Sequence, residues 1–303
     1  MGIVNEMGRI LKQQDAALPR PRRWLAMLAV AGVLCAGVGA VSSEPIRKSF
    51  ATLANPALLL HSHSGAISVK GWNQNQVEIK GERASDAMEV LIVGNEEKVT
   101  VQTHPKRQNL SPQEARVDLE IHVPRQALVR VESEQGDIAV EDLEGDVAVE
   151  GVTNSVTLSR IRGHITARTV DGPILIRSSE GHVQADSITG DLKFVEVNGP
   201  ELIGTTNSGA IRYQGEFGSG GTYMLHNYSS PIEILASPKA SFDLTASSVQ
   251  GTIENQIAFR PLPPGTPFRR PTARKLFQGR VNSGKSTVNI TSYSGTIRLS
   301  GAR

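Results

Sequence analysis

Cysteine, aromatic residues and any large excess of one charge are all scarce in this 303-residue sequence. The single cysteine, Cys35, excludes an intramolecular disulfide, so the folded part has to be held together by packing. Aromatic residues make up only 4% of the chain, which leaves few side chains on which bases or sugars could stack. With 32 basic and 30 acidic residues, the net charge of +2 provides no strong field for nucleic acid. Composition therefore argues against a disulfide-rich domain and a nucleic-acid-binding protein.

One long apolar run is present, over 24–41, and its length is enough for a helix that crosses a bilayer. Basic residues dominate the preceding segment, 1–23, which favours a cytoplasmic tail and an extracytoplasmic remainder. We therefore expect a single-pass protein of the bacterial cytoplasmic membrane, with 42–57 as a linker beyond the transmembrane anchor. The alternative is a signal peptide cleaved near Val38-Gly39-Ala40, which would make the protein secreted.

The dominant pattern is a turn residue at every ninth position. Apolar residues follow most of these turns at plus two, plus four and plus seven, as in Ile138, Val140 and Leu143. Short alternating segments with one buried face are strands, and a fixed short period indicates a stack of repeats. The pattern predicts an all-β fold, a single-stranded β-solenoid (β-helix) of nine-residue strand–turn repeats. The turn residues are Gly136, Gly145, Asn154, Gly163, Gly172, Gly181, Gly190 and Gly199.

A single repeat is too small to fold alone. Its three aliphatic side chains contribute roughly 4.5–9 kcal/mol on burial, whereas ordering nine backbone residues costs roughly 9–18 kcal/mol. Repeats must therefore stack, and the charges favour two repeats per coil. An eighteen-residue coil places Arg162 between Glu144 and Glu180, whereas a nine-residue coil would set Arg168 against Arg177. A coil of three repeats stays open.

Less regular copies of the pattern extend the repeat domain over 58–303. Segments 61–72 and 76–81 are predicted to form its opening coils, and strands are also predicted near 89–93, 98–103 and 117–123. Proline and arginine are concentrated in 260–275, which predicts a protruding loop. Further copies of the motif lie at 206–213, 229–235, 248–255 and 293–299.

The chain resembles the bacterial domain of unknown function 4097 family, whose members are described as putative adhesins built from repeated β-strands. The residues that carry the resemblance are HSHSGAISVKGW (61–72), VDLEIHVP (117–124), VRVESEQGDIAV (129–140) and SYSGTIRL (292–299). The resemblance implies a stack of strands behind an N-terminal hydrophobic segment. It implies no catalytic residues.

Three motifs resemble ligand sites, but none supports a prediction of one. GRVNSGKS, over 279–286, matches a phosphate-binding loop, yet a strand-like sequence follows it where a helix is required. His164 and His182 occupy equivalent turns above Asp146, and His61 and His63 alternate on one strand, but exposed structural histidines explain both pairs. The calcium-binding nonapeptide pattern is absent. We therefore predict no catalytic, cofactor-binding or metal-binding residues, no cofactor and no nucleotide.

The sequence favours a non-enzymatic adhesion or scaffold protein of the cell envelope, with an envelope glycan or protein as partner. Two alternatives are a membrane-bound regulator of envelope stress and a self-associating scaffold. A third is a β-helical enzyme that cleaves polysaccharides, which would need paired carboxylates on one exposed face. The acidic residues of the repeats instead alternate with arginines.

Overall fold

A computed structural model describes residues 44–262 and 275–301 of the chain. The chain divides into two units, Met1–Ala40 and Val41–Arg303, and all described residues belong to the second. The predicted tail (1–23), the anchor (24–41) and most of the loop predicted over 260–275 lie outside the described residues. Within those residues, no helix has the length and apolarity needed to cross a bilayer.

The described residues are all-β, as predicted, and form nineteen strands. The strands are β1 (Glu44–Ala51), β2 (Ala57–Ser64), β3 (Ile67–Trp72), β4 (Gln76–Arg83), β5 (Met88–Gly94), β6 (Lys98–Pro105), β7 (Val117–Pro124), β8 (Leu128–Leu143), β9 (Val147–Asp171), β10 (Ile174–Ser187), β11 (Leu192–Thr206), β12 (Ile211–Gly215), β13 (Thr222–Asn227), β14 (Ile232–Ala236), β15 (Phe242–Ser248), β16 (Ile253–Asn255), β17 (Lys275–Val281), β18 (Ser286–Ser292) and β19 (Ile297–Gly301). The strands predicted near 89–93, 98–103 and 117–123 correspond to β5, β6 and β7.

Parallel pairing joins residues eighteen positions apart through the regular part of the chain. Ile174 of β10 pairs with Val156 of β9 and with Leu192 of β11. Val183, in the second half of β10, pairs with Ile165 of β9. This eighteen-residue offset is the one predicted from the positions of the charged residues in the sequence. It stacks residues at equivalent repeat positions on one another.

The paired strands form two ladders, and consecutive nine-residue segments alternate between them. Ladder 1 contains β2, β6, β13, β15 and β18, and ladder 2 contains β3, β7, β12, β14, β16 and β19. The long strands β8 to β11 run through both ladders. Aliphatic residues from both ladders form one buried cluster. One column of ladder 2 consists entirely of aliphatic residues: Leu119, Ile67, Ile138, Val156, Ile174, Leu192, Ile211, Ile232, Ile297 and Ile253.

At both ends, the order of strands in space departs from their order in the chain. Strands β2 and β3 pair with β8 on one side and with β6 and β7 on the other, so the first repeats are not the outermost. Likewise, β18 and β19 lie between β13 and β14 on one side and β15 and β16 on the other. Both terminal repeats thereby have each backbone edge paired.

Antiparallel strands pair with the outermost strands of the ladders at the N-terminal end. The segment 76–81, predicted as an opening coil, lies in β4, which pairs antiparallel with both β1 and β7. The predicted linker of 42–57 was wrong over Glu44–Ala51, because these residues form β1.

The edge strand β5 is protected by a lysine: the Lys48 ammonium donates to the Ile92 carbonyl at 3.0 Å. A lysine at a strand edge discourages pairing with a second sheet.

The apolar residues at plus seven are buried at one corner and exposed at the other, although the repeat pattern predicts burial for all of them. Leu143 and Ile161 are fully buried, whereas Val152, Val170 and Ile188 are 48%, 46% and 52% exposed. The two groups alternate along the chain because alternate repeats belong to different ladders. A nine-residue period cannot distinguish positions that repeat only every eighteen residues.

Matched substitutions at this position should separate the two corners. We expect Ile161→Ala to lower the free energy of unfolding by about 2–5 kcal/mol, because it leaves a cavity in the core. Ile188→Ala removes the same atoms from a half-exposed site and should cost less than about 1 kcal/mol. Urea denaturation followed by circular dichroism provides the comparison. Equal losses for the two variants would contradict the assignment of the corners.

Candidate functional site

Charged side chains on the outer face of ladder 2 neutralise one another along a column. Glu233 lies between Arg212 and Arg298: the Arg212 Nε donates to Glu233 Oε2 at 2.9 Å, and the Arg298 Nη1 lies 3.3 Å from Glu233 Oε1. Arg298 also donates to Glu254 at 3.1 Å. The hydrogen bond from Arg212 outweighs burial and lowers the pKa of Glu233. Glu233 is therefore held as a carboxylate.

The charge columns predicted in the regular repeats also contain ion pairs. Arg162 lies 3.6 Å from Glu144, and Arg168 lies 3.4 Å from Asp186. Glu180 and Arg162 occupy paired positions, as do Asp186 and Arg168. Such exposed pairs contribute at most about 1 kcal/mol each, so they fix local side-chain arrangement more than they stabilise the fold.

Non-glycine residues with positive φ form a column that the sequence pattern does not reveal. Asp142, Arg160, Ser178 and Glu196 have φ angles of 62°, 53°, 48° and 53° and recur every eighteen residues. This conformation costs an L-residue roughly 1–2 kcal/mol. Arg160 offsets part of that cost by donating from Nε to Asp142 at 2.7 Å. No glycine or asparagine marks this corner, so turn chemistry could not predict it.

An open groove of about 640 Å³ follows this corner and is lined by both signs of charge. Hydrogen bonds from Arg160 lower the pKa of Asp142 despite partial burial. Burial opposes ionisation of the adjacent Glu141, which does not line the groove, but hydrogen bonds from Lys70 and Arg160 lower its pKa overall. A general acid for glycoside cleavage needs a carboxyl group with a raised pKa, and these two groups are shifted the other way.

A stripe of apolar side chains is exposed at the opposite corner, and we call it the corner stripe: Val152, Val170, Ile188, Tyr228 and Tyr293. Backbone hydrogen bonds stack the stripe, with Thr189 donating to the Val170 carbonyl and Ser294 to the Tyr228 carbonyl. Tyr228 and Tyr293 lie nearly parallel, with ring centroids 4.7 Å apart and an angle of 2° between their planes. The exposed Asn207 lies between the rungs of Ile188 and Tyr228 and interrupts the stripe. Exposed apolar surface of this kind is typical of an interaction site.

The histidines that resembled ligands form two separate arrangements. His164 and His182 stack with ring centroids 4.8 Å apart, and His164 Nδ1 lies 3.2 Å from Asp146. His61 and His63 instead each contact a glutamate of β8. Within the residues described by the structure, no three histidine, cysteine, aspartate or glutamate side chains already converge as a metal site.

The segment that resembles a phosphate-binding loop is a turn between β17 and β18. No helix follows it, and Ser286, at its end, is buried and donates to the Gly218 carbonyl at 2.6 Å. The Lys285 amide donates to the Ser241 hydroxyl at 3.2 Å. Groups that would have to face a phosphate therefore participate in the packing of neighbouring turns.

Comparison with known proteins shows distant structural neighbours. No family model matches the chain, and no curated protein matches it. A putative cell adhesion protein from Clostridium sporogenes is 11% identical, with a TM-score of 0.27, over 86% of this chain and 100% of that chain. A putative adhesin from Bacteroides fragilis is 12% identical, with a TM-score of 0.40, over 86% and 99%. A putative adhesin from Parabacteroides distasonis is 9% identical, with a TM-score of 0.41, over 86% and 98%.

The ion-pair column around Glu233 should make stability depend on acid pH. Because the folded state lowers the pKa of this carboxyl, its contribution is present above the unfolded value of about 4.3 and is lost as the pH falls through the folded value. We expect Glu233→Gln to reduce the free energy of unfolding by about 0.5–1 kcal/mol at pH 7 and by much less at pH 3. Urea denaturation at both pH values measures the difference.

Glu180→Gln is the matched control, because Glu180 is an exposed glutamate that forms no ion pair within the described residues, where the neighbouring Arg162 contacts Glu144 instead. It should change stability little at either pH. A loss in Glu233→Gln that is equally large at pH 3 would show that charge pairing is not its cause.

Proposed function

We propose that this chain is a membrane-anchored, non-enzymatic β-solenoid that acts as an adhesion or scaffold protein outside the bacterial cytoplasmic membrane. We further propose that it belongs to the domain of unknown function 4097 family. The observation that carries the functional proposal is the exposed corner stripe.

The eighteen-residue register supports the solenoid. Consecutive nine-residue segments alternate between two parallel ladders, and each segment pairs with the segment eighteen residues away. A chain that returns to the same ladder after every eighteen residues winds once per two repeats. The aliphatic column of ladder 2 then forms the continuous interior that a single repeat lacks.

The charges support a passive role. Glu141, Asp142 and Glu233 each accept hydrogen bonds from basic side chains, and each has a lowered pKa. Polysaccharide-cleaving chemistry requires one carboxyl group that retains its proton near neutral pH. These carboxylates are instead suited to holding arginines in position along the outer face.

The corner stripe supports binding of another macromolecule. Val152, Val170 and Ile188 each expose about half of their surface. The apolar residues at the same repeat position in the other ladder are buried in the core. Their eighteen-residue spacing sets them on successive rungs about 4.8 Å apart. A linear apolar strip of this kind suits an extended partner, for which we favour an envelope protein or glycan.

Membrane topology is the first test. We expect the full-length chain to stay in the membrane fraction after alkaline carbonate extraction, because 24–41 is long enough to span a bilayer. Alkaline phosphatase fused after residue 303 should be active, since that enzyme folds only outside the cytoplasm. Deletion of 24–41 is the control and should abolish both results. An inactive fusion would contradict the proposed orientation, and release of a shortened chain would favour the cleaved signal peptide.

Binding to envelope material tests the stripe. Beads that carry the full-length chain should retain isolated bacterial envelopes, and Val152→Ser, Val170→Ser and Ile188→Ser together should weaken retention at least tenfold, which corresponds to about 1.4 kcal/mol. Leu53→Ser, Leu128→Ser and Leu276→Ser form the control, because these residues are similarly exposed outside the stripe. Equal effects of both triple variants would reject the stripe. Turnover of envelope glycan by the chain would reject the non-enzymatic role.

A further inference from the structure

Three histidines line one open cavity of about 420 Å³ on the outer face of ladder 1. His61 and His63 alternate on β2 with buried neighbours, so both side chains point outward. His104 lies near the end of the adjacent strand β6. The His63 amide donates to the Thr103 hydroxyl at 2.9 Å, which holds the two strands together beside His104. Imidazoles from two strands therefore share one cavity wall.

Glutamates of β8 orient two of these imidazoles. His61 Nδ1 lies 2.9 Å from Glu132 Oε2, and His63 Nδ1 lies 2.7 Å from Glu134 Oε2. When the Nδ1–H of a neutral imidazole donates a hydrogen bond to a carboxylate, the lone pair of the ring lies on Nε2. A carboxylate behind a histidine in this way fixes the ring and increases its basicity as a metal ligand.

The charge around the cavity favours a cation. Glu132, Glu134 and Glu150 all line it, and Arg130 is the basic side chain that contacts two of them. Glu132 contacts both Arg130 and His61, and these two contacts fix its carboxylate beside the cavity.

In contrast to the expectation from the sequence, we propose that this cavity binds one divalent transition-metal ion of the zinc, nickel or copper class through His61 and His63, with His104 as third ligand. Imidazole nitrogen selects this class over magnesium and calcium, which prefer oxygen. Residues two apart on a strand are separated by about 6.6 Å, so one ion can lie between their rings. No three ligands already converge among the described residues, so the exposed His104 has to move toward the pair that Glu132 and Glu134 hold.

Titration of the full-length chain, purified without a histidine tag, with zinc chloride tests the site. We expect isothermal titration calorimetry to show one saturable equivalent, and His61→Gln with His63→Gln to weaken it at least tenfold. His164→Gln with His182→Gln is the matched control, because it removes the other adjacent pair of histidines. The control should bind as the unaltered chain does. Absence of saturable binding, or a greater loss in the control, would overturn the proposal.

Two further variants keep the test informative if the double variant fails to fold. His104→Gln alters an exposed side chain, so it should leave the circular dichroism spectrum unchanged and still weaken zinc binding. Glu132→Gln leaves all three proposed ligands in place and should weaken binding about 10–100-fold, as expected for a carboxylate that orients a ligand. Unchanged affinity in both folded variants would exclude the site.

Discussion

Contact of backbone against backbone at the glycine corners is the constraint on which the rest of the structure depends. Gly181 has a φ of 133°, and a Cβ placed on it would lie 2.0 Å from the Gly163 carbonyl oxygen. Gly199 repeats this contact on Gly181, at 2.1 Å. At these two positions a side chain would collide with the neighbouring rung, so glycine keeps the rungs at hydrogen-bonding distance. The close approach permits the parallel hydrogen bonds, and their eighteen-residue register then determines which side chains share a column.

Once residues share columns, their chemistry follows from whether the column faces inward or outward. Inward columns such as Ile138, Val156 and Ile174 supply the apolar core. Outward columns bring side chains within 4 Å of one another, and in several of them opposite charges meet, as in Arg162 with Glu144, or a histidine meets a carboxylate, as in His164 with Asp146. The corner stripe departs from both rules, because it is apolar and exposed. That departure is the reason to associate function with it.

Much of this organisation could be predicted from the sequence, because nine-residue spacing of turns and alternation of apolar residues are local signals. The eighteen-residue register followed from charges such as Arg162 and Glu144, which only one stacking order brings into contact. The corner of Asp142 and Arg160 could not be predicted, since only Asp142 in this column is of a residue type that favours positive φ. The insertion of β18 between β13 and β15 depends on long-range pairing that leaves no local pattern. The exposure of Ile188 likewise depends on the ladder to which its repeat belongs, and a nine-residue period does not show this.

Deletion of repeats in two sizes tests the eighteen-residue register most directly. Removal of 163–180 takes out two repeats, so every later segment returns to its own ladder and buried positions again stack on buried positions. Removal of 163–171 takes out one repeat and moves each later segment to the other ladder. Urea unfolding followed by circular dichroism should show a cooperative transition for the eighteen-residue deletion and its loss for the nine-residue deletion. A nine-residue deletion that unfolds as cooperatively as the eighteen-residue one would contradict the account.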